Sequence, residues 1–240
     1  MVNVKFESWV HGVGLRQAAL IAGLTYLLNP VTFAEAYAMP RLVVADPTQT
    51  IVNLHAHPLL FAMAILSYFF SLLGDVVCAW ALYILLAPVN RALSLLAALL
   101  QLVYAAMSLA AVSSLGALYR LLSVPDYASH IDPADLLHEV PLLIGSFRSG
   151  WGLALILFGF HLVAIGWLMA RSTYLPRWLG LFLILDGSVW VVNNLSVYLF
   201  PNASLDFLNI CYLAELVFMI WLLGFGCRLR KPAGPAEATA

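Results

Sequence analysis

Residues 148–199 read RSGWGLALILFGFHLVAIGWLMARSTYLPRWLGLFLILDGSVWVVNNLSVYL, and this stretch decides the fold. Two apolar runs, 148–170 and 177–199, flank the short turn Arg171-Ser172-Thr173-Tyr174-Leu175-Pro176-Arg177. As an α-helix each run is ~34 Å long, enough to cross a hydrocarbon core of ~30 Å. A connection this short makes the two helices antiparallel neighbours. Arginines at both edges of the turn mark its side of the membrane as cytoplasmic, because cations accumulate in cytoplasmic loops.

Working outward, the same pattern recurs. Apolar stretches at 16–39, 58–86, 92–118 and 205–227 bring the expected spans to six, in an all-α polytopic transmembrane bundle. Lys5, Arg16, Arg91, Arg171, Arg177, Arg228, Arg230 and Lys231 fall on one side, and Arg41, Arg120 and Arg148 on the other, which exhausts the 11 Lys+Arg. Eight cations against three puts both termini in the cytoplasm, and that requires an even number of spans. The segment Met1–Gly14 carries Lys5, Glu7 and His11 and lacks the layout of a cleavable signal peptide. One membrane domain is expected over 1–231, followed by a small, proline-rich, disordered tail over 232–240.

Composition agrees with a lipid-facing surface. Hydrophobic residues make up 63% of 240 positions and charged ones 10%, and mean hydropathy is +0.95. Soluble domains average about 25% charged residues. A net charge of -1 argues against nucleic-acid binding, which wants a basic face. Cys78, Cys211 and Cys227 all lie in apolar stretches and read as small buried hydrophobes rather than a disulfide framework.

Two Asp-Pro pairs on the expected outer side read as helix starts. Asp46-Pro47-Thr48-Gln49 combines an N-cap, proline at the first helical position and a capping-box Gln. Asp132-Pro133-Ala134-Asp135 repeats the pattern with an acid in the first turn. Two short outer-side helices are expected, over 47–56 and 133–146. Pro58 separates the first from its span, and Pro141 shortens or kinks the second. Gly152, Gly159 and Gly166 recur every seven residues and form a seam for close approach of another helix.

Ionisable groups inside a span cost about 2.5–3.5 kcal/mol each on insertion scales, so they face the bundle interior or a cavity. Asp75, His161, Asp186 and Glu215 are the candidates for chemistry. Glu35 and Arg148, near the outer boundary, and the polar residues Asn29, Gln101, Asn193 and Asn194 are the candidates for lining a cavity. Asp75, Gln101, His161 and Asp186 all fall ~14–18 Å above the cytoplasmic boundary at 1.5 Å per residue. Asn29, Asn193, Asn194 and Glu215 fall at ~20–26 Å. One outward-open cavity floored by Asp75, His161 and Asp186 accounts for both layers. The plainer alternative is that Asn, Gln and Ser glue helices together, that His161 is a packing residue, and that Glu35 pairs with Arg148.

No metal site is expected. His55 and His57 are two apart and do not share a helix face. His130, His138 and Glu139 have no ligand spacing, and HExxH is absent. No GxSxG and no glycine-rich phosphate loop names a reaction either, and no cofactor is indicated. Asn202-Ala203-Ser204 matches a glycosylation sequon, relevant only in a eukaryotic secretory membrane.

Several pieces together resemble a known family. They are Ile21-Ala22-Gly23-Leu24-Thr25-Tyr26-Leu27-Leu28-Asn29, Leu82-Tyr83 with Pro88-Val89-Asn90-Arg91, and Gly159-Phe160-His161-Leu162 through Gly166-Trp167-Leu168 to Leu175-Pro176-Arg177 and Leu179-Gly180. From about residue 16 to 201 the chain resembles the bacterial and archaeal membrane proteins grouped as domain-of-unknown-function family 4386. The resemblance implies an integral membrane protein of this length, with no activity to carry over. The family pattern has an Arg near the outer end of span two, where this chain has Phe61-Ala62.

Three functions follow as expectations. The first is binding or transport of a small lipophilic molecule in the polar cavity, with the lipid bilayer and that ligand as partners. The second is an intramembrane enzyme acting on a lipid or isoprenoid, with Asp75, Asp186 or Glu215 as proton donor and His161 as base. The third is a structural or assembly subunit.

Overall fold

The computed structural model describes residues 12–28, 33–123, 132–200 and 213–226, and among them every regular element is a helix. In chain order these are α1 (Leu15–Leu28), a π-helical turn (Ala34–Ala38) running into α2 (Met39–Leu42), α3 (Pro47–Ala56) and α4 (Pro58–Leu86). Then come α5 (Arg91–Ser123), α6 (Pro133–Arg171), α7 (Arg177–Leu199) and α8 (Leu213–Phe225). Four of them, α4 to α7, are long and apolar enough to cross a membrane, and α8 is a shorter apolar helix of 13 residues.

The expected start of span one at residue 16 matches α1, and the described part of the expected span to residue 39 is helical on both sides of residues 29–32. After residues 29–32, which with Asn29 lie outside the described residues, the chain resumes as a π-helical turn. In span six only 213–226 is described, so the expected start at 205 falls outside it. The tail 232–240 also lies outside the described residues, as do Cys211 and Cys227.

Helix α3 forms as the Asp-Pro signal predicts. The Asp46 carboxylate accepts from Thr48 N at 3.0 Å and Gln49 N at 3.3 Å, which satisfies two of the donors a helix start leaves open. The capping-box role expected of Gln49 is not taken up, because its side-chain amide reaches forward to Asn53 Oδ1 at 2.9 Å. Pro58 opens α4 directly after α3 ends at Ala56.

The second expected short helix is corrected. Residues 133–146 are the first part of one 39-residue helix, with Pro141 inside it. Asp132 caps it, accepting from Ala134 N at 2.8 Å. The physical reason is the buried stripe Val140, Ile144, Phe147, Ala154 and Phe158, which runs at helical spacing straight past the proline. Pro141 removes one hydrogen bond, to the carbonyl of Leu137. Both residues sit on the exposed face, so the loss falls outside the packed side.

Helices α4 and α5 show equally clear stripes. Ala64, Tyr68, Ser71, Asp75, Cys78 and Leu82 are buried along α4. Ser94, Ala97, Gln101, Tyr104, Ser108 and Leu115 are buried along α5. The other faces carry large exposed apolar residues, such as Phe70 and Leu99, as a lipid-facing surface does.

By its internal contacts the chain divides into two compact units. The first takes α1 through Leu27, 76–86 of α4, 91–102 of α5, 156–171 of α6, α7 and α8. The second takes α2, α3, 58–75 of α4, 103–123 of α5 and 133–155 of α6.

In the first unit, α6 and α7 are pressed together at two glycine pairs. A Cβ on Gly159 would lie 2.6 Å from Gly187 O, and one on Gly166 would lie 2.6 Å from Gly180 O. Only the missing side chains permit this approach. α1 and α8 run antiparallel, with Gly23 against Leu222 and Leu223, Gly226 against Ala19, and Tyr26 edge-on to Phe218 at 5.6 Å. The turn between α6 and α7 is tied down by Tyr174, whose hydroxyl donates to Leu85 O at 2.6 Å. Burial pushes that phenol up to about 12, so it keeps the proton it donates.

Candidate functional site

The first unit holds the chemically unusual residues. On α7 the buried stripe is Leu179, Gly180, Leu183, Asp186 and Gly187. Helical spacing thus puts Asp186 on the face that the glycines press against α6. Asp186 is 0% exposed. Neither of its carboxyl oxygens has a hydrogen-bond partner among the described residues. Buried polar atoms are satisfied in roughly 90% or more of cases, so a carboxyl group with neither oxygen engaged stands out.

One turn along α7, Trp190 projects beside it. Its indole Nε1 donates to Glu215 Oε1 on α8 at 2.9 Å. Glu215 and Asp186 are close enough for their charges to interact. The two acids are therefore unlike. Glu215 is half-buried and receives a donor, whereas Asp186 is fully buried and receives none.

His161 comes to the same unit from α6. It is 0% exposed, and its Nδ1 lies 2.8 Å from Ala97 O on α5. A carbonyl only accepts, so that contact fixes the proton on Nδ1 and leaves Nε2 as a bare acceptor in the neutral ring. Nε2 has no partner among the described residues. Phe158 stacks on the imidazole with centroids 6.1 Å apart, and meets Trp190 edge-on at 5.9 Å. His161, Phe158, Trp190 and Glu215 thus form a run of side chains from α6 through α7 to α8. His161 and Asp186 both belong to this unit, and no hydrogen bond joins His161 Nε2 to either Asp186 oxygen.

The second unit has a polar cluster of its own. Tyr68, 1% exposed, donates its hydroxyl to Glu35 Oε1 at 2.5 Å. Its ring packs on Phe147 and Trp151, each at 5.2 Å, and Trp151 also meets Tyr104 at 6.4 Å. Arg148 lies within electrostatic reach of Tyr68. Glu35 is thus engaged by a tyrosine, with Arg148 near the same hydroxyl. The π-helical turn that carries Glu35 widens the helix there by one residue, a feature often found at functional positions.

Asp75 is 2% exposed and belongs to the second unit, and Gln101 is 2% exposed and belongs to the first. Asn193 and Asn194 are half-buried; the Asn194 side chain serves its own helix, Nδ2 donating to Trp190 O at 2.9 Å, and the Asn193 backbone carbonyl accepts from Ser196 Oγ at 2.7 Å. His55, His57, His138 and Glu139 are exposed. Among the described residues no three His, Cys, Asp or Glu side chains come together to hold a metal ion. The aromatic partners Tyr68 and Phe158 carry no polar-stripe signal in the sequence. Their spacing, seven residues before Asp75 and three before His161, is the trace that was there to find.

The sequence profile of a family described as "Domain of unknown function (DUF4386)" matches residues 21–226. A protein of Archaeoglobus fulgidus described as uncharacterized is 27% identical over 168 residues, which cover 70% of this chain and 86% of that protein. No solved structure matches.

Proposed function

Since the chain belongs to the DUF4386 family, which names no activity, we propose from its own residues that it is a multi-pass membrane protein that binds or carries a small lipophilic molecule at Asp186, Glu215 and His161. The observation that carries this reading is Asp186. It is fully buried in the middle of an apolar helix, with neither carboxyl oxygen engaged by the described residues. An ionisable group held at membrane depth at that cost is a functional residue by default.

The packing alternative fares worse at this position. Polar residues that glue helices do so through hydrogen bonds across the interface, and Asp186 makes none among the described residues. The approach of α6 to α7 is accomplished instead by the glycine pairs. An intramembrane enzyme is the second reading, favoured by the bare Nε2 of His161, which has the form of a general base.

The membrane arrangement is six spans, with α3 and the start of α6 on the outer side and both termini in the cytoplasm. Eight cations against three support it. So does the antiparallel contact of α1 with α8, which brings Ala19 and Gly226 to one end. Protein purified in mild detergent, extracted and examined by mass spectrometry, should release a small molecule that Asp186→Asn does not retain. Identical extracts from both proteins would overturn the reading. A chemically altered molecule released after incubation would favour the enzyme.

A further inference from the structure

The unpartnered atoms of Asp186 and His161 share one character. Asp186 Oδ1 and Oδ2 and His161 Nε2 are all acceptors, and Glu215 adds a second carboxyl group close by. No Lys or Arg among the described residues forms an ion pair with Asp186. Phe158 stacks on the His161 ring and meets Trp190, whose indole donates to Glu215. Two carboxyl groups, a ring nitrogen acceptor and aromatic faces suit a group that is positive, donates several hydrogen bonds and carries an apolar body.

We infer that the molecule bound at this site is a lipophilic primary or secondary amine, held as its ammonium ion between Asp186 and Glu215. The inference rests on the binding reading above and names its ligand class. A neutral lipid or isoprenoid alcohol could engage one acceptor but would leave the others bare, at the usual cost of a buried unmade hydrogen bond. An anionic headgroup would find no Lys or Arg among the described residues paired at Asp186 to receive it. The ammonium ion meets both demands together, with two or three donors and one positive charge. Glu215 is half-buried, between the exposed Leu213 and Leu216, so the pair is reachable along the apolar surface that an amphiphilic amine would follow.

The test uses the full chain in detergent and two probes of the same shape, 2-phenylethylamine and 2-phenylethanol, read by the rise in unfolding temperature with probe concentration. The amine should stabilise the wild-type protein saturably and the alcohol should bind at least roughly tenfold more weakly. Asp186→Asn should weaken the amine by roughly 10–100-fold. Glu215→Gln, at a half-buried position that tolerates the amide, should weaken it in the same direction if Asp186→Asn does not fold. Equal binding of both probes, lost in the variants, would overturn the amine and leave lipophilic binding standing. Amine binding unchanged in both variants would remove the ligand from this site. Binding of neither probe would overturn the amine inference, while the mass-spectrometric extract decides the broader reading separately.

Discussion

Gly159 on α6 and Gly187 on α7 stand so close that a methyl group added to either would reach the carbonyl oxygen of the other, at 2.6 and 2.5 Å. Seven residues away on both helices, Gly166 and Gly180 repeat the arrangement, at 2.6 Å in each direction. The two helices are thus fastened at two points by backbone contact, with Cα–H groups facing carbonyl oxygens. Asp186 is the neighbour of one of these glycines, so its position is set by backbone rather than by side-chain packing.

Gly187→Ala should therefore destabilise the protein by roughly 1–3 kcal/mol, the usual cost of overpacking. The obstacle is backbone, Gly159 O and Val163 N, which cannot rotate away. Gly74→Ala is the control, since a Cβ there meets nothing within 4 Å. Denaturation in mixed micelles measures both. Equal stability of the two variants would mean the α6–α7 contact is looser than the glycine pairs require.

That contact was partly legible in the sequence. The repeat of Gly159 and Gly166 announced a close approach, and the short turn from Arg171 to Arg177 named α7 as the partner. Gly180 and Gly187 carry the same seven-residue spacing on α7, the signal in the sequence that pairs them with Gly166 and Gly159. Polar residues were readable because charge in an apolar run is rare, so Asp75, His161 and Asp186 stood out and all three are buried. Their partners were not readable. Period and depth place a residue on a face and at a level, but not against a given neighbour. The bonds of Tyr68 to Glu35 and of Trp190 to Glu215 are of this kind. The length of α6 was misread at Pro141 because a proline on an exposed face costs one hydrogen bond, and a continuing buried stripe outweighs that.

Tyr68→Phe should lose the bond to Glu35 while leaving the ring packed on Phe147 and Trp151. The expected cost is roughly 1–2 kcal/mol, because Glu35 is exposed and can find other donors. Tyr68→Ala should cost about 3–5 kcal/mol, the range for a large buried aromatic. Thermal unfolding of both variants checks the ratio. A phenylalanine variant as damaged as the alanine one would mean that the hydroxyl, rather than the ring, organises this cluster.

Reporter fusions test the membrane arrangement. Fusions after Arg91 and Arg177 should report cytoplasm, and fusions after Asp46 and Asp132 the outside. A cytoplasmic signal at Asp132 would make the six-span reading untenable. It would also turn the long helix α6, whose 39 residues reach ~58 Å, into a helix that extends past the membrane on the cytoplasmic side.

Asp186 should be a residue the fold carries at a loss. Its carboxyl group is removed from water with no compensating hydrogen bond among the described residues, which costs about 1–3 kcal/mol by protein mutational measures. Replacement by an apolar residue of similar volume removes that cost, as it does for other buried polar groups whose partners are missing. Asp186→Leu is therefore expected to unfold at a higher temperature than the wild type in the absence of ligand, while losing the bound small molecule. The gain is limited by the close approach of α6 beside Gly187, so Asp186→Asn is the safer companion and should be near neutral in stability. A packing residue behaves in the opposite way. If both variants were destabilised by several kcal/mol and still retained the same small molecule, Asp186 would be holding the helices together and the binding site would lie elsewhere.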